Sequence, residues 1–366
     1  MESRLPAPFY QKFSFNLISL SIICVALYVG KAIILPVLFS ILLANILLPL
    51  THFLGRKKFN KSLAILLPLF FAIIVGAAIL YFLSTQIINF VDDIPALRER
   101  INSVSHSFQL WFKQNTSITI WKQNQYINDT VSNLKDSAPE LVSSTLTSLT
   151  ELLTYATLIP IYTFLVLFYR DNIKTFLITI FQDYSKANVS DILSESTSIS
   201  QQYLVGLSIE TVIVFTMNSV GFLILGVQYA FFLALLAALL NLIPYVGMLV
   251  ANVLCMTITL VSSDNLSHVL WVGIILAIVQ LWDNNFGMTF IVGNKVRING
   301  LVTIIGVLTG GALCGVPGMF LAIPGLAVLK VIFDKVPELQ PWGMLLGDNT
   351  VNNKGVKMKK LLKKIK

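Results

Sequence analysis

A small set of polar side chains stands in or beside long apolar stretches, and their types suit a proton, a cation or a small polar solute. Asp283 is followed by Asn284 and Asn285, with Gln280 one helical turn earlier. Glu210 lies early in another apolar stretch, Asn218 follows about two turns later, and Asn241 directly precedes an Ile243-Pro244 break. A carboxylate beside amides offers charge together with neutral oxygen ligands. Ionisable side chains inside membrane-length segments are costly, so each needs a function or a partner. Structural readings compete at every position. Asp283 and its asparagines could cap a helix end and pair with Lys295 or Arg297, Glu210 could face water near an interface, and Asn241 could cap the adjoining break.

Glycines form a second constellation. Gly306, Gly310, Gly311 and Gly315 make overlapping small-x-x-x-small patterns, and Gly318, Pro324 and Gly325 follow. Small residues let helix backbones approach closely, and the same residues would serve a hairpin that rearranges as a gate. Together with Pro244 and Gly247 at the earlier break, they are the candidate hinge positions.

Soluble catalysis finds little support. The chain has no G-x-x-x-x-G-K-[ST] loop for ATP and no G-x-S-x-G elbow. His52, His106 and His268 form no H-x-x-x-H pair, so no metal site, cofactor or catalytic residue is expected. Cys24, Cys255 and Cys314 all lie in apolar segments, where they make no secreted disulfide framework.

The elements that must position these residues are helices in a bilayer. Mean hydropathy is +0.78, hydrophobic residues make up 55% and charged residues only 12%, about half of what a soluble domain carries. The expected fold is an all-α polytopic membrane protein with about 8 transmembrane helices and a C-terminal Gly-rich helical hairpin. Apolar runs place spans near 13–30, 33–54, 62–91, 146–169, 204–226, 228–243, 247–262 and 268–291, with the hairpin arms at 300–315 and 318–334. The chain thus divides into an N-terminal membrane part (1–91), an extracytoplasmic helical region (92–145), a fourth span (146–169), a cytoplasmic or interfacial helical region (170–203), a membrane core (204–335) and a basic tail (336–366).

Apolar residues from Ile87 to Trp111 and from Ile127 to Leu141 recur at spacings of three and four, the seam of a helical hairpin or of a contact between subunits. With the N-terminus inside, the short inside loops collect Arg56, Lys57, Lys58, Lys61, Arg170, Lys174, Lys186, Lys295 and Arg297, whereas the short outside loops hold only Lys31. The positive-inside bias therefore predicts both termini in the cytoplasm. The net charge of +8 reads as topology and not as nucleic-acid binding. Seven lysines among apolar residues in Lys354–Lys366 suit an amphipathic segment on anionic membrane lipids, or else a solubilising tail.

Leu225-Gly226-Val227, Asn241-Leu242-Ile243-Pro244-Tyr245-Val246-Gly247, Asp283-Asn284-Asn285, Ile291-Val292-Gly293, and the run from Gly310-Gly311 through Gly315 and Gly318 to Ala322-Ile323-Pro324 and Lys330 follow one another along the chain. In these residues the chain resembles the AI-2E transporter family, or PerM-like permeases, of bacterial inner membranes. Met248, Thr289 and Gly300 stand where the family usually has proline. The resemblance implies transport, with autoinducer-2-like signals or Na+(Li+)/H+ exchange as family examples, and homo-oligomeric assembly. From the residues themselves three readings stand: a transporter of a small polar solute, a monovalent cation/proton antiporter, and a non-transporting membrane scaffold.

Overall fold

A computed structural model describes residues 9–92, 138–181, 186–244, 246–263, 265–285, 287 and 298–347. Most of the 92–145 region, Lys295 and Arg297, and residues 348–366 of the basic tail lie outside them. The described chain is helical: α1 (Phe9–Val29), α2 (Lys31–Arg56), α3 (Lys61–Asp92), α4 (Ala138–Phe168), α5 (Arg170–Ile180), α6 (Lys186–Ile224), α7 (Ala230–Leu240), α8 (Val246–Ser262), α9 (Leu266–Trp282), α10 (Gly300–Lys335) and α11 (Gln340–Leu346). The all-α membrane architecture is as the composition requires.

Among the described residues five helices are long and apolar enough to cross a bilayer: α2, α3, α6, α9 and α10. The end of α4 and α5, bent by 67°, make a sixth candidate. Of the eight expected spans, those at α1, α7 and α8 are not among these candidates, whereas α10, expected as the hairpin, is; α7 and α8 fall short by length. Their 11 and 17 residues span about 16 and 25 Å, short of the roughly 30 Å hydrocarbon core. They fold back on each other, with Ala237, Leu233, Ala251 and Cys255 in one buried cluster and the Cys255 thiol 3.6 Å from the Leu233 carbonyl. The turn between them needs Gly247, because a Cβ there would sit 1.7 Å from the Leu240 carbonyl oxygen.

α10 is likewise a hairpin. Cys314 and Gly315 leave helical geometry, Gly315 at φ +65° and ψ −153°, a region that disfavours any side chain. A Cβ on Gly306 would touch Leu326, one on Gly311 would touch Met319, and one on Gly310 would lie 2.4 Å from the Gly318 carbonyl oxygen. In a straight helix Gly306 and Leu326 would be about 30 Å apart, so the arms run antiparallel around Gly315. Ile298 pairs with Gly347 at the hairpin base, which α11 then covers.

α6 organises the rest. No proline interrupts Lys186–Leu242, so the helix continues for 39 residues and starts well before the span start expected near 204. It ends at Gly226, whose φ is +66°, a left-handed helix stop. The two hairpins meet α6 from opposite ends. α10 starts beside its first half, where Lys335 pairs with Glu195 at 3.0 Å, and reaches Tyr203, Leu204 and Leu207 through Val307 and Ile323. The α7–α8 hairpin opens beside the other end, where Phe222 packs with Ala230 and Leu233. Its tip residue Leu242 joins the Tyr203 cluster.

The N-terminal part packs alongside. α2 and α4 are joined through backbone carbonyls: Ser40 donates to Ile159 O at 3.0 Å and Thr163 donates to Ser40 O at 3.4 Å, both side chains fully buried. Small hydroxyl residues of this kind serve as glue where lipid gives helices no hydrophobic reason to associate.

Candidate functional site

Glu210, Asn241 and Asp283 come from three separate elements and meet in the interior. Glu210 is on α6 and 4% exposed, and Asp283 ends α9 and is 5% exposed. Gly221 packing on Ile275 and Val214 clustering with Val279 hold α6 and α9 antiparallel, which brings the two carboxyls level. Asn241 caps α7 at the tip of the first hairpin, next to the Ile243-Pro244 turn. Its Nδ2 donates to Asp283 Oδ2 at 3.1 Å. The Glu210 carboxyl is a close neighbour of the Asp283 carboxyl.

Local backbone sets the aspartate. Residues 283–285 and 287 wind in a wider, π-type turn at the end of α9, a feature frequent at functional sites. A Cβ at Gly287 would come within 2.4 Å of Asp283 Oδ1. The absent side chain lets the carboxylate lie against the backbone.

Open valences remain in the cluster. Asp283 Oδ1 and Glu210 Oε2 are buried without a hydrogen-bond partner. Two turns further along α6, Asn218 Oδ1 and Ser219 Oγ are also buried and unpartnered. Among the described residues no lysine or arginine makes an ion pair with either carboxyl. A buried charge left without partner or ligand costs several kcal/mol, of order. Two neighbouring carboxylates in a low-dielectric interior repel when both are charged. The arrangement is chemically able to take up a proton or a cation, and it offers an amide and free oxygens to a polar solute.

The other predicted residues are placed elsewhere. Gln280 Nε2 donates to Asn284 Oδ1 at 3.1 Å on the exposed side of α9. Asn285 Nδ2 donates to Leu281 O at 2.7 Å, also exposed. Only Asp283 of that run turns inward. Pro244 and Gly247 form the tip beside Asn241. Gly310, Gly311, Gly315 and Gly318 hold the arms of α10 together, and Pro324 is buried in its second arm. The α10 hairpin meets α6 on its Tyr203–Leu207 face.

Sequence reasoning missed Gly287 and Tyr203 beside the site and left Asn218 aside. Tyr203 is 3% exposed and lies two turns before Glu210 on the same helical face. Spacing held a signal for some of these. Gly287 follows Asp283 by one turn, and Asn218 continues the Glu210–Val214 stripe at steps of four.

The description AI-2E family transporter covers residues 17–338. Among curated proteins, the chain is 26% identical to YrrI of Bacillus subtilis (strain 168) over 82% of its length and 86% of the relative's. It is 25% identical to YueF of the same strain over 83% and 84%. A Mycobacterium tuberculosis (strain CDC 1551 / Oshkosh) protein is 26% identical over 81% of both chains. All three carry provisional names as transport proteins, with no solute given.

Proposed function

Because the chain belongs to the AI-2E family of transporters, we propose that it moves a small polar solute across the bacterial inner membrane through the Glu210–Asn241–Asp283 locus. The observation that carries this reading is a buried carboxyl pair with unpartnered oxygens at the tip of a helical hairpin. Polar groups this costly persist in a membrane where they line a path, and broken helices are where transporters bind their cargo. Transport is facilitated or ion-coupled. A solute like autoinducer-2, small and polar, is one candidate implied by the family.

The opposed hairpins support a gating role. One reaches α6 from the Ile224 end and the other from the Glu195 end, so each can close the polar locus from one side. Counting α1 as a crossing with α2, α3, α4, α6 and α9, and taking α7–α8 and α10 as hairpins, gives an even number and thus both termini on one face. With the bias of lysine and arginine to inside loops, that face is the cytoplasm.

The carboxyl pair favours a second reading, Na+(Li+)/H+ antiport, in which a proton and a cation alternate on Glu210 and Asp283. Vesicles reconstituted with the full chain separate the two. Solute flux that falls at least tenfold in Asp283→Asn supports solute transport. Cation-driven proton flux without flux of any small polar solute supports antiport. Wild-type rates of both in Asp283→Asn would overturn the role given to the locus.

A further inference from the structure

A cavity of about 700 Å3 lies between α2, the end of α4, α5 and the first half of α6, away from the carboxyl pair. Its α2 wall is Val37, Ile41, Ala44, Asn45 and Leu48, one stripe at helical spacing about 17 Å long. Val166, Leu167 and Leu177 extend the apolar lining. Asn45 is the polar exception on this shaft.

The other end is basic and polar. Arg170 and Lys174 line it from the α4–α5 corner, and Ser194, Ser198 and Gln201 from α6. Leu48 and Gln201 also line an adjoining cavity with His52 and Arg56, so the cationic end extends to the end of α2. Asp171 is the acidic residue in the lining, and it is already matched by Lys61 at 3.4 Å and Arg170 at 3.3 Å. Glu195, on the same helix as Gln201, is engaged by Lys335. Lys174 and Arg56 keep no acidic partner among the described residues.

The depth of this end follows from α5. The helix leaves α4 at 67° and exposes Ile173, Phe176 and Ile180, as a helix lying in the membrane surface does. Arg170 and Lys174 are thereby at headgroup level, while the α2 stripe runs from there into the hydrocarbon. A soluble anion would use the basic end and leave the shaft empty. A neutral lipid would use the shaft and leave the cations unmatched. Basic pockets between membrane helices take anionic headgroups.

We propose that this cavity binds one anionic phospholipid, its phosphate on Arg170 and Lys174 and an acyl chain along Val37–Leu48. The site is separate from the transport locus: Gln201 lies about 13 Å along α6 from Glu210.

The test is native mass spectrometry of the detergent-solubilised full chain titrated with phosphatidylglycerol, phosphatidylcholine or inorganic phosphate. Phosphatidylglycerol is expected to bind about tenfold or more tightly than phosphatidylcholine, the contribution of two cations at headgroup level. Lys174→Gln should weaken phosphatidylglycerol about fivefold and leave phosphatidylcholine unchanged. Ile41→Trp, which fills the shaft, should weaken phosphatidylglycerol as well. Equal binding of the two lipids, or wild-type lipid affinity in Lys174→Gln, overturns the proposal. So does full displacement by phosphate with no effect of Ile41→Trp, which would make the basic end a site for soluble anions. Lys174 is exposed, and an unchanged melting temperature in its variant separates lost binding from lost fold.

Discussion

The side-chain amide of Asn241 donates to Asp283 Oδ2 across 3.1 Å, tying the tip of the α7–α8 hairpin to the end of α9. One hydrogen bond thus joins a helix break to a buried carboxylate. A movement of the tip would stretch or break this bond.

Asn241→Ala tests that link. It removes the donor and leaves Asp283 Oδ2 buried without it, a change that costs about 1–3 kcal/mol. The expected result is a lower unfolding midpoint together with slower flux in vesicles. Unaltered stability and flux would mean that the bond carries neither.

Glu210→Gln and Asp283→Asn each replace one member of the buried carboxyl pair. Each should cut flux about tenfold or more, and the double variant should cost little beyond either single one, because groups that act as a unit are non-additive. The wild-type flux should vary with pH and that of Glu210→Gln should be flat across the same range. A pH profile unchanged by the substitution would remove Glu210 from proton handling.

The α10 hairpin predicts proximity across twenty residues of sequence. In a chain freed of Cys24, Cys255 and Cys314, Gly306→Cys and Leu326→Cys should react together with a short bis-maleimide, since the two positions are in contact where a straight helix would hold them about 30 Å apart. Gly315→Val forces a β-branched side chain to φ +65°, at a cost of about 1–2 kcal/mol. It should weaken the cross-link, and peptide mapping would show it.

Thr163→Val tests the α2–α4 contact. The substitution keeps the shape and removes the donor to Ser40 O. Interhelical side-chain bonds in membranes are worth roughly 0.6–1.7 kcal/mol, and the expected loss of stability lies in that range. A calibrated unfolding measurement in detergent or bicelles reads it directly.

Much of this was legible before any coordinates. The hydropathy made a helical membrane protein unavoidable, since backbone polar groups in lipid must be satisfied within helices or closed barrels, and the length and uniform apolarity of the runs favoured helices. Gly310, Gly311, Gly315 and Gly318 announced a tight hairpin because only glycine permits such backbone approach. The breaks at Gly226 and Asn241–Gly247 were visible for the same reason. The start of α6 was less so: polar Ser and Gln residues before Tyr203 resemble a surface segment, but they sit on a helix that no proline interrupts. The shortness of α7 and α8 was also hidden, because they have the apolarity of spans and lack only the length.

Residue types alone determined which groups are expensive in a membrane: Glu210, Asn241 and Asp283 stood out from the first reading. Tertiary structure decided which of them act together. Gln280, Asn284 and Asn285 share a helix end with Asp283, yet they satisfy one another or the local backbone on the exposed side. Asp283 alone faces Glu210, 73 positions away in the chain. Helix periodicity says which residues share a face, but the direction that face takes is set by the neighbours packed against it. Here Gly221 on Ile275 and Val214 beside Val279 turn one carboxylate of α9 towards one carboxylate of α6, and the tip of a broken helix supplies the amide between hairpin and carboxylate.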